Sequence, residues 1–178
     1  PGPTNLSAPV QVFIGRGREA DTLRDALRSS RFVTVTGPGG VGKSALAAHV
    51  ARSERRHFPG GVWMADLAAA TEDDVWARVD AAVGGERSVP LADRIGDNRV
   101  LLLLDTCERV AAAVAGLADD LLASCSGLVV LITSRVRVRG AGERTVTVEP
   151  LTLDDGVALF LERAPTDLTD GDGVRQLV

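Results

Sequence analysis

The sequence predicts an α/β fold, a five-stranded parallel sheet with helices on both faces. Two observations carry that prediction. Five short runs of β-branched and aliphatic residues alternate with stretches whose apolar residues recur at helical spacing. The first run also leads straight into a glycine-rich loop that opens a helix, which is the start of a parallel crossover unit. At 178 residues, 45% apolar and 25% charged, the chain has enough material to bury one core.

Taken in order, residues 1–12 are polar and proline-rich and read as an extended lead-in. Leu23, Ala26 and Leu27 predict a helix over Arg18 to Ser30, and Phe32 to Thr36 a first strand. Ser44 to Arg56 reads as a helix with Leu46 and Val50 on its inner face. Phe58-Pro59-Gly60-Gly61 is a turn, and Val62 to Leu67 a second strand. Thr71 offers a capping hydroxyl ahead of three carboxylates, Glu72 to Asp74. Val75, Val79, Ala82 and Val83 carry that helix on to its stop at Gly84-Gly85. Val89 to Asp97 is a short, weakly helical connection. Val100 to Asp105, a continuous apolar run closed by a carboxylate, suits a strand buried on both faces. A helix from Glu108 to Ser124 follows, then strands over Gly127 to Ser134 and Arg144 to Glu149. Beyond Pro150, Leu153 to Ala164 reads as a helix leaving the sheet, ahead of an acidic tail expected to be mobile. Three segments result: an extended piece (1–12), a nucleotide-binding domain (13–150), and the start of a helical domain with its tail (151–178). The chain is expected to be cut from a longer one.

Composition removes several function classes. A net charge of −4 argues against direct nucleic-acid contact by this segment. No apolar run approaches the roughly 20 residues that span a bilayer, and no signal-peptide core is present, so a cytoplasmic location without a membrane partner is expected. Cys107 and Cys125 flank one expected helix, more than about 20 Å apart at helical rise, so they are read as packing residues rather than a disulfide.

The chemistry concentrates in Gly37-Pro38-Gly39-Gly40-Val41-Gly42-Lys43-Ser44, which fits G-x-x-x-x-G-K-[ST], a phosphate-binding loop. Successive backbone amides and the positive end of the following helix attract phosphate, and glycines at 39, 40 and 42 remove Cβ atoms from its path. Lys43 is the single lysine among 20 basic residues. A compact ammonium can thread the loop and touch two phosphates, where a planar guanidinium is too wide. Ser44 would place its hydroxyl on Mg²⁺, and Asp105, at a strand end, would hold the same ion through water. Asp66 also ends a strand, but Trp63 and Met64 within that strand make it a decoy. Thr133-Ser134-Arg135 closes the fourth strand at the edge where open α/β sheets bind ligands, so Arg135 is a candidate γ-phosphate sensor. Arg137 and Arg139 read as a solvated face.

Phe13-Ile14-Gly15-Arg16, GPGGVGKS, FPGGVWMADL, LLLLDTCERV, ITSR and EPLTLDDGVALF, in this order, resemble STAND-class P-loop ATPases over roughly residues 5–164. The likeness is to the NB-ARC-like module of SARP/AfsR-like and large LuxR-family bacterial regulators. It implies a three-layer P-loop NTPase sandwich with strand order 5-1-4-3-2. ATP or ADP with Mg²⁺ would be the cofactors, held by Phe13 to Arg16 near the adenine and by Pro38 to Ala45 at the phosphates. Lys43, Asp105 and Arg135 would be the catalytic set. It also implies an ADP-closed, ATP-open switch, coupled to other domains of a longer parent and to nucleotide-dependent self-association. Relatives usually follow the aspartate with Asn or Asp, and hydrolytic P-loop ATPases use Glu there; this chain has Thr106, which cannot orient water, with Glu108 nearby. Slow hydrolysis is therefore expected. Gly17 stands where many relatives carry Glu, with Glu19 two residues on. Two other readings compete. A P-loop small-molecule kinase would need a lid, for which Val136 to Arg144 is the candidate. An AAA+-type motor would want the missing glutamate and an arginine finger.

Overall fold

The computed structural model describes residues 1–7 and 15–163. Phe13 and Ile14, expected beside adenine, and the tail after Arg163 lie outside the described residues. Five strands, β1 (Phe32–Thr36), β2 (Gly61–Asp66), β3 (Val100–Asp105), β4 (Leu128–Ser134) and β5 (Arg144–Thr147), form one sheet in the order β2-β3-β4-β1-β5. Every pairing is parallel, and the order is 5-1-4-3-2 read from the other edge. Six helices accompany it: α1 (Gly17–Ser29), α2 (Lys43–Ser53), α3 (Val75–Ala82), α4 (Leu91–Ile95), α5 (Ala111–Ser124) and α6 (Leu153–Arg163).

The uninterrupted apolar run of β3 is explained by which face each residue serves. Leu101 and Leu103 pack with α1 and α2 through Leu23, Leu27, Leu46 and Val50. Leu102 and Leu104 face the other layer, with Val79, Ile95, Val114 and Leu121 of α3 to α5. With period two and both faces covered, no position along the strand can be polar until its end.

Several local expectations shift. The second helix ends at Ser53, followed by a 3₁₀ turn at Arg55–His57. There the buried Glu54 draws His57 to 2.7 Å and Arg28 to 3.8 Å. The helix expected to be capped by Thr71 begins at Val75 without a side-chain cap; the Asp74 carboxylate instead accepts the Thr71 amide at 2.8 Å and Arg78 Nε at 2.8 Å. The helix expected from Glu108 starts at Ala111, because Cys107 to Val110 is a turn, pinned by the Cys107 amide donating to the Thr133 carbonyl at 2.9 Å. The second and fifth strands stop at Asp66 and Thr147.

The candidate lid, Val136 to Arg144, does not cover the glycine loop. It descends past α5, where the Ala141 amide bonds Asp119, and Gly140 sits tight against the Phe32 ring at the amino end of β1. The Glu143 carboxylate folds it by accepting the amides of Val138 and Arg139 and pairing with Arg137. In this structure the segment packs beside α5 and the amino end of β1.

The described part of the lead-in, residues 1–7, meets the outer edge of β2 through Pro3 to Asn5. Thr4 bridges Val62, and the Val62 amide donates to the Pro3 carbonyl at 2.9 Å. Asn5 then imitates a strand residue with its side chain: Oδ1 accepts the Met64 amide and Nδ2 donates to the Met64 carbonyl, both at 2.8 Å. This covers an edge that would otherwise template aggregation. Asn5→Ala is expected to cost about 1 kcal/mol in urea unfolding and to speed hydrogen exchange at the Met64 amide. Unchanged exchange there would refute the edge-cover role.

Candidate nucleotide-binding site

Parallel register brings the candidate residues to one edge. Thr36 lies opposite Ser134, and Leu104 opposite Ile132, so the loop after β1, Asp105 after β3 and Arg135 after β4 share the carboxyl end of the sheet. Gly40 and Gly42 have φ of 75° and 97°, a course that side-chain-bearing residues resist. Gly39 is needed for a different reason. A Cβ there would come within 3.3 Å of the Arg135 guanidinium, which lies over the loop. The glycine expected to admit phosphate thus also admits Arg135.

Gly42 is the N-cap of α2 and supplies no capping side chain, so the first-turn amides of this 11-residue helix remain available to an anion. Ser44 and the exposed Ala45 lie in that first turn. Lys43 Nζ donates to the carbonyls of Gly37 at 2.9 Å and Pro38 at 2.8 Å, which fixes the ammonium on the loop and leaves one N–H of its three.

Arg16 is buried and fully engaged. Its Nη1 donates to the Glu149 carbonyl and to Glu19 Oε1, each at 2.6 Å, and Nη2 to the Val41 carbonyl at 3.0 Å. One guanidinium therefore staples the start of α1, the glycine loop and the linker before α6. Glu19 serves as its carboxylate, with Gly17 as the first residue of α1. Gly15, at φ 75°, packs where a Cβ would meet the Asp155 side chain at 2.8 Å, against the first turn of α6. Between these parts opens a cleft of about 560 Å³, lined by Arg16, Pro38, Val41, Pro150, Leu151 and Gly156 among others. That volume suits a nucleoside.

Asp105 is 7% exposed, and its Oδ1 accepts the hydroxyl of Thr133, on the neighbouring strand. The same Thr133 oxygen accepts the Thr106 amide at 2.9 Å. Thr106 has φ 61°, the left-handed region in which a β-branched residue is strained. Burial, with the Asp105, Glu108 and Asp66 carboxylates, pushes the Cys107 thiol far up; it donates to the Leu104 carbonyl at 3.3 Å. Asp66 is exposed and accepts the Ala68 amide at 2.9 Å, an ordinary turn closure. The Ser44 hydroxyl and the Asp105 carboxylate are hard-oxygen donors of the kind that Mg²⁺ takes.

Three contacts of the site have no signal in the sequence. Thr133 lies one residue past the Leu104–Ile132 pair, which sets it beside Asp105 to hold the carboxylate. Glu108 lies 3.0 Å from Arg135 Nε. The linker and the first turn of α6 supply half of the cleft wall. Each depends on an inter-strand or inter-segment contact with no local signature.

Residues 12–162 match the family of AAA ATPase domains, and the chain belongs to that family. The resemblance to STAND-class P-loop ATPases accords with that family and with the relatives that follow. An uncharacterized protein of Mycobacterium tuberculosis is 41% identical over 160 residues, covering 85% of this chain and 41% of the relative. Regulatory protein AfsR of Streptomyces griseus is 32% identical over 179 aligned residues, covering 89% and 18%. The chain thus spans less than half the length of these curated relatives. Among solved structures it is similar to a Walker-type ATPase of Pyrococcus abyssi (TM-score 0.66, 15% identity, covering 93% of this chain and 63% of that one). It is also similar to a STAND protein with a tetratricopeptide-repeat sensor from Pyrococcus horikoshii (TM-score 0.61, 20% identity, covering 97% and 28%). These two likenesses establish the P-loop fold.

Asn tolerates positive φ better than any β-branched residue. Thr106→Asn is therefore expected to raise stability by about 1 kcal/mol, read as a higher thermal midpoint. A lower midpoint would mean that the Thr106 side chain contributes more than its backbone strain costs.

Proposed function

We propose that this chain is the ATP/ADP-binding switch module of a signalling or transcriptional regulator, with slow Mg²⁺-dependent ATP hydrolysis. The observation that carries this reading is the continuity of the 560 Å³ cleft with the glycine loop and the linker to α6. A nucleotide with phosphates at Pro38 to Ala45 would rest its nucleoside against Arg16 and Leu151. Lys43 would direct its remaining N–H to phosphate, and Ser44 and Asp105 would hold Mg²⁺. When bound, that ion would neutralise phosphate charge. Arg135, over Gly39, would meet the terminal phosphate.

Thr106 carries no carboxylate to act as general base toward an attacking water, which supports binding rather than turnover as the main output. The regulatory assignment rests on the similarity to AfsR and to a Mycobacterium tuberculosis protein provisionally named an HTH-type transcriptional regulator (38% identical over 151 residues, covering 80% of this chain and 17% of it). On this reading α6 begins a further helical domain, and other domains of a longer cytoplasmic parent receive the signal, with self-association as one response. Nucleic-acid contact would fall to those other domains. Among the described residues, no helix is long and apolar enough to cross a membrane.

Calorimetric titration of ATP and ADP, with and without Mg²⁺, tests the assignment. Lys43→Ala is expected to weaken both nucleotides at least about a hundredfold, the loss of charge-assisted bonds to phosphate. Asp105→Ala should mainly remove the magnesium dependence. Equal ADP affinity in wild type and the Lys43 variant would overturn the site.

A further inference from the structure

Glu108 follows β3 in the turn that precedes α5, and its position is unusual for a carboxylate. Oε1 pairs with Arg135 Nε at 3.0 Å, while Oε2 is shielded from solvent and makes no hydrogen bond. An ionised carboxylate has room for about four donors, so a shielded oxygen with none is unfavourable and calls for a reason. Arg135 itself is 64% exposed, with its guanidinium face against Gly39. The ion pair therefore links the end of β3 to the rim of the glycine loop. The Nε edge of Arg135 is committed to Glu108. No ion pair or hydrogen bond among the described residues engages its Nη groups.

We infer that Glu108 is the specificity-determining counter-ion of Arg135, setting the preference between a nucleoside triphosphate and a diphosphate. This rests on the proposed nucleotide site. A guanidinium lying on Gly39 is within reach of an anion that extends past the loop, and a terminal phosphate offers it two oxygens in fork geometry. The Glu108 carboxylate competes for the same cation. A diphosphate, one phosphoryl group shorter, leaves the Glu108–Arg135 pair in place. A triphosphate meets the free Nη edge of the same guanidinium, whose positive charge the Glu108 carboxylate on the Nε edge already offsets. Glu108 thereby weakens an attraction that only the longer triphosphate would feel, so the pair biases the site toward the diphosphate. Glu108 acts through Arg135 and is a positioning residue.

The test measures ATP and ADP affinity in Mg²⁺ for the full chain and its Glu108→Gln, Arg135→Ala and doubly substituted forms. Glu108→Gln keeps the shape and removes the charge. It is expected to raise the ATP-to-ADP affinity ratio about fivefold, the scale of an exposed ion pair. Arg135→Ala should lower that ratio, and adding Glu108→Gln to it should change the ratio no further, since the carboxylate then has no cation to withhold. A purely structural role would move both affinities together and leave the ratio alone. An unchanged or lowered ratio in Glu108→Gln, or an additive double variant, overturns the inference while leaving the nucleotide site intact. Failure of the wild-type chain to bind either nucleotide would instead overturn the site itself, and the inference with it.

Discussion

Burial of the central strands on both faces constrains everything polar in this molecule. Every residue of β1, β3 and β4 is buried, so polar side chains along them are costly and few. Polar groups accordingly gather at the carboxyl ends, where Thr36, Asp105, Thr133 and Ser134 are buried together. Thr133 settles much of their demand, giving its proton to Asp105 and accepting the Thr106 amide. That arrangement fixes the orientation of Asp105 and forces the chain after it into a left-handed turn. The strain at Thr106 follows from meeting those bonds.

The glycine loop is fastened on its far side to the segment that leaves the sheet. The Val148 amide donates to the Thr36 carbonyl at 2.7 Å, and Gly37 lies so near the Val148 carbonyl that any Cβ would collide with it. Arg16 adds a second tie, from Val41 to Glu149. A displacement of the loop is therefore transmitted to the linker and to α6, none of whose described side chains is buried. A helix with so little holding it is the element that a small force can reposition. This gives the proposed switch a physical route from phosphate to output.

The charges around the loop are balanced against one another. Lys43 is held by two loop carbonyls, Arg16 by two carbonyls and Glu19, and Arg135 by Glu108. Of the three cations, Arg135 alone is mainly solvent-exposed and carries a guanidinium edge without a partner. It is the group whose environment changes most when an anion arrives. Arg16, by contrast, would have to break three contacts to move, which suits an anchor.

Much of this was legible in the chain itself. Apolar periodicity determined which segments became strands and helices, since period-two and period-3.6 burial are local consequences of backbone geometry. The Gly37 to Ser44 spacing determined the loop and its lysine, because positive φ at Gly40 and Gly42 needs particular residues at particular places. Tertiary structure alone decided the rest. Thr133 could not be matched to Asp105 without the inter-strand register, and Glu108 could not be matched to Arg135 across the intervening helix and strand. The start of α3 at Val75 rather than just after Thr71 goes with Asp74 turning its carboxylate to the Thr71 amide and Arg78. The course of Val136 to Arg144 was set by Phe32 and Asp119, contacts that sequence order does not record. Local geometry is written in neighbouring residues, whereas partner choice across the sheet exists only once the strands have been laid side by side.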